Sequence, residues 1–190
     1  FRSLPTPLAV IKSALMLWCD SGFLRDLVTT LSLISQATVV TAIVSLPIAY
    51  CSVTRFLWPL SDAMSKLRYL GPIGFTLPMM LMFGGGWSLK VALLSLSMTP
   101  FLITAVAQIA ADVNSESVDS LRALGASKAR AILHAVVIGT APLVIDAIRQ
   151  VMAMGWCVIA FIEISDPTGG LGVRLFLENK AYHLDNVYAI

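Results

Sequence analysis

The stretch LVTTLSLISQATVVTAIVSLPIAYCSVT, from Leu27 to Thr54, contains no charged residue; Asp26 precedes it and Arg55 follows it. A helix of about 20 residues crosses a hydrocarbon core of about 30 Å, and a helix in a soluble protein seldom runs that far without a charge on its exposed face. Apolar and polar residues do not alternate along it with a period of two, which argues against a barrel strand. The stretch therefore predicts a membrane-spanning helix.

Three further stretches predict spans of the same kind. Residues 69–89 and 91–111 carry no charge, and residues 141–164 are apolar apart from Asp146, Arg149 and Glu163. Asp146 and Arg149 are three apart, so we expect them to pair on one helix face near the membrane surface. We predict an all-α integral membrane protein, a multi-span helical bundle forming a single transmembrane domain over residues 1–190, with spans at about 27–54, 69–89, 91–111 and 141–164.

The composition agrees with a lipid environment. Hydrophobic residues make up 57% of the chain and charged residues 13%, with a mean hydropathy of +0.84, whereas soluble domains carry about 25% charged residues. A net charge of +2 without a basic run argues against a nucleic-acid partner. The cysteines are widely spaced, so we predict no disulfide framework. Neither histidine has a Cys, Asp or Glu neighbour at the spacing of metal ligands, so we predict no metal site.

Charges and small residues suggest an orientation and one packing surface. Segment 55–68 has three basic residues and one acidic residue, which places it in the cytoplasm, although Lys and Arg are equally numerous on the two sides overall. Alternation then places 112–130 in the cytoplasm and both 84–90 and 165–184 outside.

Thr38, Thr41 and Ser45 form a small polar stripe that we expect to pack against another helix.

The polar segment 112–130, DVNSESVDSLRALGASKAR, lies between two predicted spans. Its spacing predicts a short amphipathic helix over 115–124, a left-handed turn at Gly125 and an N-cap for the next helix at Ser127. On spacing alone, an ordinary amphipathic helix at the membrane surface is the better explanation of the segment.

This segment resembles the EAA loop of binding-protein-dependent ABC transporter permeases, whose pattern is E-A-A, three residues, G, and later I-x-L-P. Asp119, Ser120 and Leu121 stand at the E-A-A positions, and Gly125 stands at the glycine. The chain departs from the pattern at the two alanines and at the later L-P, where it has Val137-Ile138.

Other motifs resemble the branch of this family that serves nitrate, sulfonate, taurine and similar small solutes. They are, in chain order, Leu4-Pro5-Thr6-Pro7; Pro72, Pro78 and Phe83-Gly84; Pro142, Arg149, Trp156 and Glu163; and Gly169-Gly170-Leu171-Gly172. The resemblance implies a type I ABC importer-like transmembrane domain of six spans. We expect this chain to be a fragment with the second to fifth spans and the first residues of the sixth.

The resemblance also implies a function. The chain would be the permease subunit of an importer, translocating a nitrate-, sulfonate- or taurine-like anion or a small heterocycle delivered by an extracytoplasmic binding protein. The partners it implies are cytoplasmic ATP-binding subunits, which would hold the ATP and Mg²⁺, and a second permease copy in a homodimer, all at the bacterial inner membrane. The expected contacts with the ATPase, through a coupling helix, are Asp119, Ser120, Leu121, Arg122 and Gly125.

The substrate path is less well marked in the sequence. Met154, Trp156 and Glu163 on the last predicted span are candidates for lining it, although residues such as the first two more often serve packing. We predict no catalytic residues, because Gly84-Gly85-Gly86 lacks a following G-K-[ST] and no G-x-S-x-G motif occurs. A secondary transporter or channel subunit is the alternative; an inverted repeat or ion-coupling carboxylates would favour it, and we find neither.

Overall fold

The computed structural model describes residues 6–18, 21–52, 63–64, 66–69, 71–113, 120–123, 125, 127, 130–131 and 133–190. The regular elements within these ranges are helical, so the predicted all-α fold class is confirmed. The α-helices are α1 (Pro7–Trp18), α2 (Ser21–Ser52), α3 (Thr76–Phe83), α4 (Trp87–Ala111), α5 (Ala141–Ser165), α6 (Leu171–Lys180) and α7 (Leu184–Ala189), with a 3₁₀ helix at Pro72–Phe75 and a π-helix at Leu133–Ile138.

Three helices of the described chain are long and apolar enough to cross a membrane: Gly22–Cys51, Trp87–Ala111 and Ala141–Ser165. They coincide with three of the four stretches in which the sequence predicts spans. Asp146 and Arg149 lie in the first turns of α5 and form the expected pair, with 3.2 Å between the Arg149 Nη2 and Asp146 Oδ1 atoms.

The remaining predicted stretch, 69–89, does not form one continuous helix. The 3₁₀ helix Pro72–Phe75 leads into α3, which ends at Phe83 after eight residues, and α4 begins at Trp87. Gly84 and Gly86 have φ angles of +72° and +89°, which turn the chain between the two helices. Eight residues rise about 12 Å, so a membrane crossing by residues 69–89 stays a prediction.

The helices form two compact units. The outer unit comprises Phe1–Ala37, Phe75–Leu94 and Trp156–Ile190, and the inner unit comprises Thr38–Gly74 and Ser95–Gly155. These two names follow the predicted orientation of their loops. Helices α2, α4 and α5 each contribute one part to each unit.

In the inner unit, α2 packs against α4 through small polar side chains. The Thr41 hydroxyl lies 3.4 Å from the carbonyl oxygen of Ser95, and the Ser45 hydroxyl lies 3.5 Å from that of Thr99. Both hydroxyl-bearing residues are buried. Small residues allow helix backbones in a membrane to approach closely, so the predicted packing role of Thr41 and Ser45 is confirmed.

In the outer unit, α6 and α7 fold back onto the earlier helices. The Ser13 hydroxyl on α1 donates to Asp185 on α7 at 3.2 Å. Arg174 on α6 lies 3.5 Å from the Asp26 carboxylate on α2, and its guanidinium lies 5.7 Å from the centre of the Phe23 ring. These contacts fix the chain that follows α5 against the start of α2.

Candidate functional site

A buried carboxylate organises the loop that follows α5. Glu163 is 0% exposed. Its Oε1 atom accepts a hydrogen bond from the Thr30 hydroxyl at 2.7 Å, and its Oε2 atom accepts one from the Gly172 backbone N–H at 2.6 Å. The same Thr30 oxygen accepts from the Leu171 N–H at 3.0 Å. Glu163 thereby ties α5, α2 and the first turn of α6 together.

The glycines around Glu163 give this carboxylate its space. Gly170 has φ +120° and ψ 165°, a conformation that only glycine adopts readily. A Cβ atom on Gly170 would overlap the Glu163 carboxylate, and one on Gly172 would lie 2.7 Å from the Ala160 Cα atom. The backbone of the G-G-L-G motif therefore lies around the carboxylate, and these contacts explain why residues 170 and 172 are glycine.

A buried lysine connects the turn before α4 to the same loop. Lys90 is 1% exposed, and its Nζ atom donates to the Gly169 carbonyl oxygen at 2.9 Å. Its charge interacts with those of Glu163 and Asp166, and Asp166 accepts a hydrogen bond from the Gly86 N–H. Segments 84–90 and 165–172 thus meet, as expected for two segments predicted on the same side.

We call this group of residues the loop anchor; it consists of Thr30, Lys90, Glu163, Asp166 and Gly169–Gly172. A buried charged group is costly unless it is hydrogen-bonded, and Lys90, Glu163 and Asp166 each have a hydrogen-bond partner. In the described ranges, no group of three His, Cys, Asp or Glu side chains is placed to hold a metal ion. The loop anchor positions backbone, which suits a fixed surface loop better than a reaction centre.

Glu178 on α6 belongs to a second polar cluster beyond the predicted spans. Its Oε2 atom accepts a hydrogen bond from the Asn186 amide at 3.0 Å and lies 3.1 Å from His183 Nδ1. These two contacts, with that from Asn186 the larger, lower the pKa of the Glu178 carboxyl below its ordinary value. The cluster holds α7 against α6.

The three candidates for the substrate path lie in different surroundings. Met154 lines a cavity in the inner unit, while Trp156 lies in the outer unit with 38% of its surface exposed. The Glu163 carboxylate contacts other groups of the loop anchor. A role for the three in the substrate path stays a prediction.

The cavity of the inner unit has a volume of about 290 Å³. Phe101, Met154 and neighbouring apolar side chains form much of its lining, and Arg68, Gln108 and Gln150 supply polar groups. The Arg68 guanidinium lies 5.8 Å from the centre of the Phe101 ring. The cavity is open to the surface, since Arg68, Gln108 and Gln150 are exposed, and it offers apolar side chains beside hydrogen-bond donors and one positive charge, groups that occur together in sites for small ligands.

The predicted coupling segment is described only in part. Residues 120–123 are helical, and Gly125 follows with φ +87°, its N–H donating to the Arg122 carbonyl at 3.0 Å. The Ser127 hydroxyl lies 3.5 Å from the Arg130 N–H, as an N-cap does. Asp119 and the rest of the predicted helix 115–124 lie outside the described residues.

The sequence singles out Glu163 and the G-G-L-G motif of the loop anchor but predicts no role in it for Thr30, Lys90 or Asp166. Lys90 was expected to be part of an outer turn and is instead buried in the first turn of α4. A single charge at the edge of a long apolar run is a signal that could have identified it. Thr30, one hydroxyl among many in α2, carries no such signal.

Comparison with known proteins identifies the family. The profile of the family described as "Binding-protein-dependent transport system inner membrane component" matches residues 14–190. The chain is also similar to the taurine transport system permease protein TauC of Escherichia coli (strain K12), with 24% identity over 177 residues, which cover 89% of this chain. The chain spans 64% of that relative's length.

The match extends over α2 to α7 and includes both the loop anchor and the coupling segment. It confirms the predicted resemblance to this family and the predicted location in the inner membrane. The chain belongs to the family of binding-protein-dependent transport system inner membrane components.

Proposed function

We propose that this chain is the permease subunit of an ATP-driven importer, which takes a small solute from an extracytoplasmic binding protein and is coupled to a cytoplasmic ATPase through residues 112–130. The observation that carries the proposal is the family match over residues 14–190, because it covers the coupling segment and the helices on both sides of it. The solute is a nitrate-, sulfonate- or taurine-like anion or a small heterocycle; the similarity to a taurine permease supports this class.

The geometry at Gly125 supports the coupling role. A helix that ends in a left-handed glycine and is followed at once by an N-capped turn has little freedom at its connection. Movement of the short helix with the ATPase would then be passed to the chain leading into α5. Coupling of this kind requires an element with two positions that both partners bias.

The residues proposed to contact the ATPase are Asp119, Ser120, Leu121, Arg122 and Gly125. Leu121 is partly buried, whereas Ser120 and Arg122 are exposed. Exposed polar side chains around a half-buried leucine suit a helix that rests on its own protein and presents its outer side to a partner. ATP and Mg²⁺ are bound by that partner, and a second permease copy completes the assembly as a homodimer.

The test is a pull-down of the full-length permease, expressed with its ATPase and extracted in mild detergent. Gly125→Pro forces φ to about −65°, against +87° in the structure, and Asp119→Arg reverses one charge of the segment. We expect both variants to lose the ATPase while reaching the membrane in normal amounts.

Two variants serve as controls. Asp146→Arg reverses an exposed charge on α5 that contacts Arg149, and Gly71→Ala introduces a side chain at another glycine with positive φ, +62°, outside the coupling segment. Both should retain the ATPase. Equal ATPase recovery with Gly125→Pro, Asp119→Arg and the wild type would refute the coupling proposal, and a wild type that recovers none would favour a secondary transporter or channel.

A further inference from the structure

The cavity of the inner unit brings together hydrogen-bond donors that the apolar packing does not use. Arg68 offers a planar guanidinium with five N–H donors and no acceptor, and each glutamine offers an amide NH₂ group. Among the described residues, the Arg68 guanidinium contacts the rings of Tyr69 and Phe101, at 5.5 and 5.8 Å, and no carboxylate. Within the part of the chain that the structure describes, no hydrogen-bond partner is found for the side-chain amide of Gln108 or of Gln150.

The charge of the lining selects the ligand. None of the described residues that line the cavity is acidic, so Arg68 gives the space a net positive charge. Guanidinium groups bind planar or tetrahedral oxyanions through paired, charge-assisted hydrogen bonds, and amide NH₂ groups can complete such a set. A neutral or cationic ligand would leave the guanidinium without a counter-charge.

The size of the cavity sets a limit on the ligand. At about 290 Å³, it is just smaller than the range of about 300 to 1,000 Å³ found for sites of drug-sized molecules. Phe101 and Met154 provide an apolar wall beside the donors. A small anion with a compact organic part would use both surfaces.

We infer that this cavity binds a small oxyanion, with Arg68 as its charge partner, Gln108 and Gln150 as additional donors, and Phe101 and Met154 against its apolar part. The inference rests on the proposed function, since it takes the oxyanion to be the transported solute. Arg68 ends one segment predicted to face the cytoplasm, and Gln108 lies in the last turns of the predicted span that leads into another, so the cavity would hold the solute shortly before its release.

The experiment uses the full-length permease with its ATPase in phosphatidylcholine nanodiscs. Trifluoromethanesulfonate is the probe, and its binding is followed by ¹⁹F NMR. We expect methanesulfonate to displace it and dimethyl sulfone, which is uncharged, to leave it bound. Arg68→Gln should weaken binding at least about tenfold, as expected for the loss of a charge-assisted pair.

A second variant and a control distinguish the loss of the binding site from misfolding of the protein. Gln108→Glu keeps Arg68 and its ring contacts but places a carboxylate in the lining, and it should also weaken binding at least about tenfold. Arg149→Gln removes an exposed arginine of the same unit, paired with Asp146 and absent from the cavity lining; it should bind like the wild type. Thermal unfolding of each variant in the nanodiscs verifies folding.

Each other outcome overturns the inference. If folded Arg68→Gln and Gln108→Glu bind the probe as tightly as the wild type, the cavity is not the site. If nanodiscs containing phosphatidylglycerol exclude the probe and methanesulfonate cannot compete, the occupant is a lipid headgroup. Recovery of the ATPase on the same samples separates these results from a failure of the proposed function, in which the ATPase is absent whatever the probe does.

Discussion

Replacement of Gly170 by alanine tests the loop anchor directly, because the chain supplies a matched control one residue away. Gly169 and Gly170 both have positive φ, +126° and +120°. A Cβ atom on Gly170 would overlap the Glu163 carboxylate, whereas a Cβ atom on Gly169 would have nothing within 4 Å. The two alanine variants therefore share the backbone strain and differ in the collision with Glu163.

The magnitudes follow from these two contributions. A residue other than glycine in this backbone region costs about 1–3 kcal/mol. Forcing extra volume into an occupied space costs about a further 1–3 kcal/mol. We expect Gly169→Ala to lower the free energy of unfolding by about 1–3 kcal/mol and Gly170→Ala by about 1–3 kcal/mol more.

Reversible unfolding of the full-length protein in mixed micelles, by titration with a denaturing detergent, measures this difference. The same pair of alanine variants is then made in a Glu163→Ala background, where the carboxylate is gone. In that background the costs of Gly169→Ala and Gly170→Ala should agree within about 0.5 kcal/mol. Comparing the two backgrounds forms a double-mutant cycle, which isolates the contact between residue 170 and Glu163. Equal costs in the wild-type background, or a difference that survives the loss of Glu163, would refute the arrangement described here.

Three further predictions concern polar groups of the outer unit. Thr30→Val should lower the free energy of unfolding by at least about 2 kcal/mol, because it leaves a buried carboxylate oxygen and a backbone N–H without a partner. The control is Thr29→Val, since the neighbouring Thr29 hydroxyl donates within its own helix. In the same unfolding assay this control should change the free energy of unfolding by less than about 0.5 kcal/mol. Lys90→Met should cost about 1–3 kcal/mol, and the exposed control Lys180→Met should cost nothing measurable. The pKa of Glu178 is lowered in the folded protein. The contribution of this carboxylate to folding stability is therefore present above its unfolded pKa of about 4.3 and is lost as the pH falls through the folded value. Thermal unfolding measured against pH should show the wild type to be more stable than Glu178→Gln at pH 7, and this difference should vanish in acid.

Long charge-free runs made most of the fold predictable. Residues 27–54 and 91–111 carry no charge, and residues 141–164 carry three. Over the length of a bilayer such a composition favours a helix, which satisfies every backbone group within its own segment, and the described residues of these stretches are helical. The stretch 69–89 has the same composition but a different backbone. Its prolines and glycines interrupt hydrogen bonding locally, and hydropathy, which sums over a window, does not register this.

The sequence predicts the candidate site only where a motif contains glycines that the backbone conformation requires. G-G-L-G is a recognisable motif, and two of its glycines, Gly170 and Gly172, are required by contacts with Glu163 and Ala160. The partners of that carboxylate could not be predicted, because Thr30 is 133 residues away in sequence and resembles the other hydroxyls of α2. Likewise, Arg68 and Gln150 meet at one cavity through tertiary structure that no local pattern encodes.

The location of these polar groups follows from the physics of the bilayer. Lipid tails are as apolar as leucine side chains, so apolar contact alone discriminates weakly between one arrangement of helices and another. A hydrogen bond to a buried carboxylate discriminates strongly, because any other arrangement leaves the carboxylate and its donors unsatisfied. Glu163 and Lys90 break the apolar pattern of their helices, and they are the residues that join α2, α4 and α5 to the loop before α6. In this chain, therefore, the charges that least suit a membrane helix are the ones that specify how the outer unit is built.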